Sequence, residues 1–405
     1  MTKTFQKIAF YSLLSLFAFL PFSSWLVSMT GKPSLSLIRD GLVLIIFLSA
    51  LFGKTIKFNK IIIIVSLFIV FGLLTYFWRE ASPIQWLRGF RFTFVPIILF
   101  LSVSSLKFNE KEKKVLIWTV LIGGIIITIV SIAELLGFKI PLTTRLSGAN
   151  GLESTQYLQG LNIRRLQSLL AGPNALGLYI LALTAYGLGL FKKISPKLIW
   201  SIPILGLILF LTFSRSSLAG FVAVIIVSAV IWSHKKIGVA KTITIALLFA
   251  VTLLISSLAL YKSDKYKSYI THGTSSSLRY EQIIRVWNQK NEIGLLGRSS
   301  GTAGPSSQNR LDGGPNHWSE NIYLEIFEEL GLIGLILYLA IIILLLSNSW
   351  KKYSTDEAKT AFLITLGFAV SGLFLNNYTG QVGIYLFWLA NGLLLQKGNN
   401  EKNSN

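Results

Sequence analysis

The sequence contains no cysteine and little charge, and both absences narrow the class of protein. Among 405 residues there is no cysteine and there are only three histidines. Disulfide bonds and thiolate metal sites are therefore excluded, and a histidine metal cluster is not expected. Charged residues make up 14% of the chain and hydrophobic residues 52%. A soluble protein of this size could not cover so much apolar surface, so the composition predicts a membrane protein.

Long runs with few or no charges recur along the whole chain. Most of them approach the roughly 20 residues that a helix needs to cross a membrane, where no water is present to pair exposed backbone groups. We therefore expect an all-α polytopic membrane protein, with about twelve transmembrane helices in a single membrane domain over residues 1–405. The runs are Ile8–Val27, Leu35–Phe52, Ile61–Trp78, Phe92–Leu106, Val115–Ala133, Leu169–Phe191, Leu198–Ser214, Ser216–Ser233, Thr242–Tyr261, Leu330–Ser349, Thr360–Leu375 and Thr379–Gln396.

Basic residues are distributed unevenly between the loops of a chain whose formal net charge is +21. If successive loops alternate between two sides, one side carries twenty lysines, and the other carries six lysines and all twelve arginines. Cytoplasmic loops of membrane proteins are enriched in basic residues, so the lysine side is expected to face the cytoplasm together with both termini. Topology and contact with anionic lipid account for these lysines, and no nucleic-acid partner is expected.

The concentration of arginine on the other side requires a further explanation, because topology treats lysine and arginine alike. A guanidinium group binds phosphate or carboxylate through two parallel hydrogen bonds and keeps its charge at any physiological pH. We expect several of these arginines to line an anion site that faces the external leaflet. The alternative is that they pair only with lipid headgroups.

Two long loops are expected on the arginine side, residues 137–167 and residues 262–321. The second is the large extracytoplasmic loop between helices nine and ten. It contains "SLRYEQIIRVWNQKNEIGLL", in which Tyr280, Ile284 and Trp287 recur at helical spacing, so a helix is predicted there. The following "GRSSGTAGPSSQNRLDGGPN" is rich in glycine, serine and proline and predicts a flexible surface loop.

Four stretches in the second half of the chain occur in a particular order. They are "LAGPNALGLYIL", "LTFSRSSLAGFVAV", "SSLRYEQIIRVWNQKNEIGLLG" and "ENIYLEIFEELGLIGLILY". In order and spacing they resemble the O-antigen ligase and O-antigen polymerase superfamily. The chain departs from that pattern at two positions. Glu320 precedes Asn321 where ligases have histidine, and Gly294 stands where proline is usual, so the resemblance favours a polymerase-like member.

The resemblance implies a glycosyltransferase that needs no cofactor or metal ion. Such enzymes transfer a saccharide from an undecaprenyl-pyrophosphate donor to a hydroxyl group of an acceptor glycan or lipid-linked glycan. The expected location is the bacterial cytoplasmic (inner) membrane, as a multi-pass protein in contact with lipid, with its active face extracytoplasmic. The expected role is the assembly of an O-antigen or capsule-like surface polysaccharide. A protein O-oligosaccharyltransferase and a multi-pass solute or ion permease stay open as alternatives.

Arginines are the candidates for binding the donor pyrophosphate, because fixed guanidinium groups stabilise the negative charge that grows on the leaving group. Arg215 is the leading candidate, since it lies at a turn between two helices that are too apolar to hold a charge without a purpose. The alternative is that Arg215 only reaches lipid headgroups. Arg279, Arg165 and Arg164 are further candidates.

The proton acceptor is expected close to the start of the helix that follows the large loop. The catalytic candidates are Glu320 and His317. If this helix begins near Ser319 as its cap, offsets of four and seven residues place three further candidates on one face. These are Asn321, Glu325 and Glu328. A carboxylate near a helix start is also stabilised by the helix dipole alone, which would account for Glu320 without catalysis.

Overall fold

A computed structural model of the protein describes most of the chain, and its regular secondary structure within that part is helical. An isolated bridge pairs Ala303 with His317. The described residues are 2–53, 55–56, 58–78, 80–138, 164–237, 273–307, 310, 312–315, 317–377 and 382–397.

The helices are numbered here in chain order. They are α1 (Thr2–Phe19), α2 (Ser23–Thr30), α3 (Ser36–Phe52), α4 (Lys60–Leu74), α5 (Pro83–Ser105), α6 (Glu110–Leu135), α7 (Pro173–Leu188), α8 (Ile202–Leu211), α9 (Arg215–Ile237), α10 (Gly273–Asn288), α11 (Lys290–Ile293), α12 (Gly304–Ser307), α13 (Ile322–Lys351), α14 (Asp356–Gly372) and α15 (Gly383–Lys397). Short 3-10 turns lie at Leu20–Phe22, Pro33–Leu35, Thr75–Trp78, Leu190–Lys193 and Pro196–Ser201. Each predicted apolar run within the described residues overlaps one or more of these helices. The run Thr242–Tyr261 lies outside the described residues, so the number twelve stays a prediction.

Several helices begin at a polar residue that caps them. The first N–H groups of a helix have no partner within the helix, and a side-chain oxygen at the cap position accepts one of them. Asn109 and Glu112 do this reciprocally at the start of α6, where each side chain accepts from the backbone N–H of the other. Ser82 caps α5, and Thr355 caps α14. The sequence thus marks the ends of the helices at loops on both sides of the bundle.

Seven helical segments in the described part of the chain are long and apolar enough to cross a membrane. Many of their large side chains point outward. On α4, for example, Ile63, Leu67 and Val70 are 45%, 52% and 50% exposed. Exposing such surface to water is unfavourable, whereas lipid tails solvate it well. The prediction of an all-α polytopic membrane protein is confirmed.

Helices α7 and α15 form the centre of the bundle. Every residue from Ala175 to Gly187 of α7 is buried, and so is every residue from 382 to 396 around α15. The hydroxyl group of Tyr186 donates a hydrogen bond of 3.0 Å to the carbonyl oxygen of Leu386 and joins the two helices. These two helices are surrounded by protein, whereas α4 and α6 each keep one face toward lipid.

Helix α13 is broken at Gly331, whose φ of 63° lies in the left-handed region. The break removes hydrogen bonds within the helix, and unpaired backbone groups are costly in an apolar surrounding. Segment 294–299 pairs with these groups instead. Four backbone hydrogen bonds of 2.9–3.2 Å join them, from Arg298 N to Glu328 O, from Ser299 N to Glu329 O, from Leu332 N to Gly294 O and from Ile333 N to Leu295 O. The backbone of the loop therefore completes the broken helix.

The prediction of a flexible surface loop is wrong for residues 298–307. Ser299, Ser300 and Thr302 are at most 1% exposed. The side-chain amide of Gln85 donates to the carbonyl oxygens of Gly301 and Ser306 at 2.5 and 2.7 Å. The composition was misleading because the small residues that favour loops also allow a backbone to pack closely against a helix, here α5.

One end of the bundle gathers loops that carry lysine. Lys193 Nζ lies 2.5 Å from Glu357 Oε1 and 3.6 Å from Glu110 Oε2, and Lys113 Nζ lies 2.8 Å from Glu110 Oε1. The loops that follow α5 and α7 and the loop that precedes α14 therefore meet at this end, which we call the lysine end.

The opposite end gathers loops that carry arginine, and we call it the arginine end. Asp312 accepts a hydrogen bond of 2.9 Å from Ser82 N, and Arg310 donates one of 2.9 Å to the carbonyl oxygen of Glu80. The loop before α5 therefore meets residues 310 and 312–315 here. The segregation of lysine from arginine in the sequence corresponds to two physical ends of the described molecule.

We predict that the lysine end faces the cytoplasm and the arginine end faces outward. The natural chain has no cysteine, so Pro315→Cys and Ser354→Cys each introduce a single thiol at an exposed position, at the arginine and lysine ends respectively. In intact cells an impermeant thiol reagent should label Pro315→Cys, and it should label Ser354→Cys only after the membrane is permeabilised. Labelling of Ser354→Cys alone in intact cells would reverse the orientation.

Candidate functional site

A groove of about 500 Å³ lies at the arginine end, between α9, α10, the start of α13 and the end of α14. Four predicted site residues line it, and these are Arg215, Arg279, Glu320 and Asn321. Apolar side chains form much of its remaining wall. They are Ala219, Ile283, Leu324, Leu373 and Phe374. The groove therefore combines a charged part with an apolar part.

Arg279 and Glu320 form an ion pair in this groove. Both Nε and Nη2 of Arg279 lie 2.6 Å from Oε2 of Glu320, and both side chains are 27% exposed. Gln282, one turn further along α10, accepts a hydrogen bond of 3.0 Å from the backbone N–H of Glu320. Helix α10 thus holds the segment before α13 through two side chains and presents the ion pair to the groove.

Arg215 is the first residue of α9 and follows a tight turn. Phe213 has a φ of 53°, a left-handed conformation that is unfavourable for a side chain of this size. Within the turn, Ser214 N donates to the hydroxyl oxygen of Thr212 at 3.1 Å. The hydroxyl group of Ser214 also donates to that of Ser217 at 3.1 Å. The turn places a guanidinium group at the N-terminus of a 23-residue helix, where the helix dipole also favours an anion.

The structure places Arg165 and Arg164 outside the described lining of the groove. Arg165 Nε donates to the carbonyl oxygen of Thr212 at 2.8 Å, and its Nη2 donates to Asn174 Oδ1 at 3.1 Å. Arg165 therefore supports the turn that carries Arg215. Arg164 instead pairs with the buried carboxylate of Glu134 at 2.9 Å.

The prediction that Ser319 caps the following helix is wrong, because the cap is Asn321. Its side-chain oxygen accepts from the N–H groups of Tyr323 and Leu324 at 2.9 and 3.1 Å. Its side-chain nitrogen donates to the carbonyl oxygen of Leu373 at 2.9 Å. An asparagine can bind both the helix start and the end of α14, which a serine hydroxyl group is too short to do.

Glu325 and Glu328 are buried on α13, and neither is among the described residues that line the groove. Glu325 lies against Gly304, where any larger residue would meet its carboxyl group. Glu328 forms a bidentate ion pair with Arg285, with N–O distances of 2.5 and 3.2 Å. Although four and seven residues separate them from Asn321, these carboxylates face inward, where α12 and α10 contact them.

His317 lies between two arginines. Its Nδ1 is 2.7 Å from Nη1 of Arg285, and its Nε2 is 2.8 Å from Nη1 of Arg298. Burial, followed by the charges of Arg298 and Arg285, lowers the pKa of His317 to about 4. The imidazole is therefore neutral at neutral pH. It has only one acceptor nitrogen, so only one of the two arginines can donate a hydrogen bond to it.

Arg285, Arg298 and Glu329 were not among the predicted site residues, although they are structural members of this region. Glu329 is buried, and its Oε1 accepts from Gly301 N at 2.9 Å, from Ala303 N at 3.2 Å and from the Ser306 hydroxyl group at 3.4 Å. One carboxylate oxygen thus holds the loop that completes the broken helix. The "EE" at 328–329 was visible in the sequence, but nothing local showed that its two members bind different loops.

The orientation of α10 explains why Arg285 was missed. Its apolar face is exposed, with Tyr280 and Trp287 at 66% and 65%. Its inward face carries Arg279, Gln282 and Arg285, which recur every third residue. The spacing of the polar residues in α10 therefore indicates its inward face. The spacing of its apolar residues marks the face that points away from the protein.

Most of the arginines at this end pair with carboxylates of the same chain. The pairs are Arg39 and Arg91 with Asp40, Arg164 with Glu134, Arg279 with Glu320, Arg285 with Glu328, Arg298 with Glu292 and Arg310 with Asp312. The guanidinium fork suits such pairs, which explains much of the preference for arginine over lysine without a ligand. Among the described residues no group of three or more histidine, aspartate or glutamate side chains is placed to hold a metal ion.

Comparison with known proteins gives a match to part of the chain. Residues 200–339 match a family model described as O-Antigen ligase. The matched segment extends from the turn before α8 into α13 and includes Arg215, Arg279 and Glu320. A search of curated proteins finds no match to this chain. The family match confirms the resemblance to the O-antigen ligase and O-antigen polymerase superfamily.

We predict that Glu329 is required for a stable loop 298–307. Glu329→Ala leaves two buried N–H groups without their acceptor and should destabilise the protein by about 3 kcal/mol or more. Glu329→Gln retains a carbonyl oxygen as an acceptor and should destabilise the protein less. Thermal unfolding of the detergent-solubilised protein measures both, with the exposed Glu281→Ala as the matched control. An unfolding temperature for Glu329→Ala equal to that of the control would contradict this role.

Proposed function

We propose that the protein is a membrane glycosyltransferase that acts in the groove at the arginine end. It moves a saccharide from undecaprenyl pyrophosphate onto an acceptor glycan during assembly of a cell-surface polysaccharide. The observation that carries the proposal is the meeting of Arg215, Arg279 and Glu320 in one groove with an apolar wall. A ligand with an anionic headgroup and a long apolar chain fits this combination. The family match to the same segment supports the class of reaction.

Arg215 and Arg279 bind the pyrophosphate in this proposal. Both guanidinium groups line the groove, and the N-terminus of α9 adds a partial positive charge beside Arg215. Leu324, Leu373 and Phe374 then contact the lipid chain near the membrane boundary. Cationic groups that are held before the reaction stabilise the charge of the departing pyrophosphate, which is greatest in the transition state.

The transfer step uses Glu320 as the proton acceptor. The acceptor hydroxyl oxygen forms a bond to the anomeric carbon of the donor sugar as the bond from that carbon to the pyrophosphate oxygen breaks. The bonding electron pair leaves with the pyrophosphate, and the hydroxyl proton passes to the carboxylate of Glu320. Because Glu320 is paired with Arg279 in this structure, pyrophosphate that binds Arg279 would free the carboxylate for this role. Donor binding and activation of the acceptor are thereby coupled.

Glu320 rather than His317 is the proposed base, because only Glu320 is among the described residues that line the groove. His317 lies between Arg285 and Arg298 and can accept a hydrogen bond from one of them. The carboxylate at position 320, where ligases have histidine, favours a polymerase-like reaction. A protein O-oligosaccharyltransferase would share the donor half of the groove and differ in its acceptor.

A solute or ion permease is a weaker candidate for this chain. Broken helices in such carriers use their free backbone groups to bind the transported solute. At the break in α13, the backbone of residues 294–299 already pairs with these groups. With the arginine end outward, the proposed reaction takes place on the external face of the cytoplasmic membrane.

Arg215 gives the sharpest test of donor binding. Arg215→Lys keeps the charge and loses the planar fork, whereas Arg215→Ala loses both. We expect Arg215→Lys to transfer the saccharide more slowly than wild type. We expect Arg215→Ala to be slower by roughly 100-fold or more, as for removal of other groups that stabilise a transition state. Transfer from a lipid-linked donor is measured at matched protein amounts, with the exposed Lys32→Ala as the control. A fully active Arg215→Lys would favour contact with lipid headgroups instead.

Glu320 gives the test of proton transfer. Glu320→Gln retains a hydrogen-bond acceptor for Arg279 but cannot take a proton, so transfer should fall by roughly 100-fold while the protein stays folded. Glu320→His should keep part of the activity, since imidazole can accept a proton. The same transfer assay measures both variants, with Glu281→Gln on the exposed side of α10 as the control. Activity of Glu320→Gln equal to wild type would remove this residue from the mechanism.

A further inference from the structure

A second cleft lies at the lysine end, far from the groove described above. It has a volume of about 450 Å³ and lies between the turn after α7, the end of α9 and the start of α14. Its lining includes two lysines, Lys192 and Lys359, and two aromatic residues, Tyr353 and Trp232. Apolar side chains that include Ile225 and Leu363 also line it. Its volume is within the roughly 300–1,000 Å³ typical of sites for small ligands.

The charge of this cleft is positive. In the described part of the chain, no carboxylate lies within ion-pair distance of Lys192. Lys359 has one such contact, with Asp356 at 3.3 Å, and its side chain is still 26% exposed. By contrast, Lys193 is held between two carboxylates. Two lysines against one aspartate leave a net positive charge along the cleft.

The polar and apolar side chains of the cleft lie at different depths. Trp232 lies toward the end of α9 and Tyr353 lies in the turn between α13 and α14, as amphipathic aromatic residues do at the level of lipid headgroups. Ile225 and Leu363 lie seven residues inward from Trp232 and Asp356, about 10 Å along the helix axes. A charged entrance above an apolar wall matches the shape of a phospholipid, whose headgroup and acyl chain lie at the same two depths.

We propose that this cleft binds one anionic phospholipid from the leaflet at the lysine end. The lipid phosphate lies between the ammonium groups of Lys192 and Lys359, and the hydroxyl group of Tyr353 donates to it. One acyl chain follows the wall that includes Ile225 and Leu363. This site does not depend on the proposed glycan transfer, since it lies at the opposite end of the bundle.

Quenching of Trp232 fluorescence by brominated lipid tests the proposal. The full chain is placed in mixed vesicles of phosphatidylglycerol and phosphatidylcholine, in which only one of the two lipids carries bromine on its acyl chain. The signal of Trp232 is the difference between wild type and Trp232→Phe. Brominated phosphatidylglycerol should quench this signal more than brominated phosphatidylcholine does. The preference for phosphatidylglycerol should be roughly five-fold for each lysine of the cleft.

Three sets of variants separate a specific site from general surface charge. The double variant Lys192→Gln, Lys359→Gln should lose the preference, and Ile225→Phe should weaken it by filling the apolar part. The double variant Lys111→Gln, Lys114→Gln removes two exposed lysines at the same end and should retain the preference.

Two results obtained with lipid alone would overturn the proposal. One is equal quenching by the two brominated lipids. The other is an unchanged preference in the Lys192, Lys359 double variant. Inorganic phosphate added at the concentration of the lipid should have no effect. Full displacement by phosphate would assign the cleft to a free anion and would likewise overturn the lipid site.

Discussion

The arginine end depends on one exchange of backbone hydrogen bonds, between the broken helix α13 and segment 294–299. Gly331 is buried, so the groups freed there need protein partners. The exchange fixes the loop after α11 against α13, and Glu329 then holds residues 301–306. The same half of α13 begins at Asn321, beside Glu320. The position of the carboxylate in the groove therefore depends on a helix that the loop completes.

The arginines at this end differ in the kind of ion pair that holds them. Arg285 and Arg164 are committed to buried carboxylates, and removing one partner of such a pair leaves an uncompensated charge. Arg279 differs because both members of its pair are partly exposed. A pair at a groove surface can exchange one partner for an anionic ligand at much smaller cost. Position in the network, more than residue type, therefore decides whether an arginine is held inside the protein or lies at the groove.

Several features were accessible from local patterns. The long apolar runs predicted the helices because a membrane requires them, and the turn before Arg215 was visible because a charge interrupts two apolar helices. Arg279 was selected by resemblance. His317 was selected for its chemistry, yet its neighbours are two arginines from separate parts of the chain. No local pattern predicts a contact between residues so far apart.

The sequence by itself determined the membrane class, the helical content and the separation of lysine from arginine, since each depends on the composition of continuous segments. The tertiary structure decided the burial of residues 298–307, the role of Arg165 beneath a turn and the inward face of α10. Each of these depends on which surface a segment meets. Small polar residues such as Ser299 and Ser300 suit both water and a tightly packed backbone, and only the surrounding helices determine which environment they occupy.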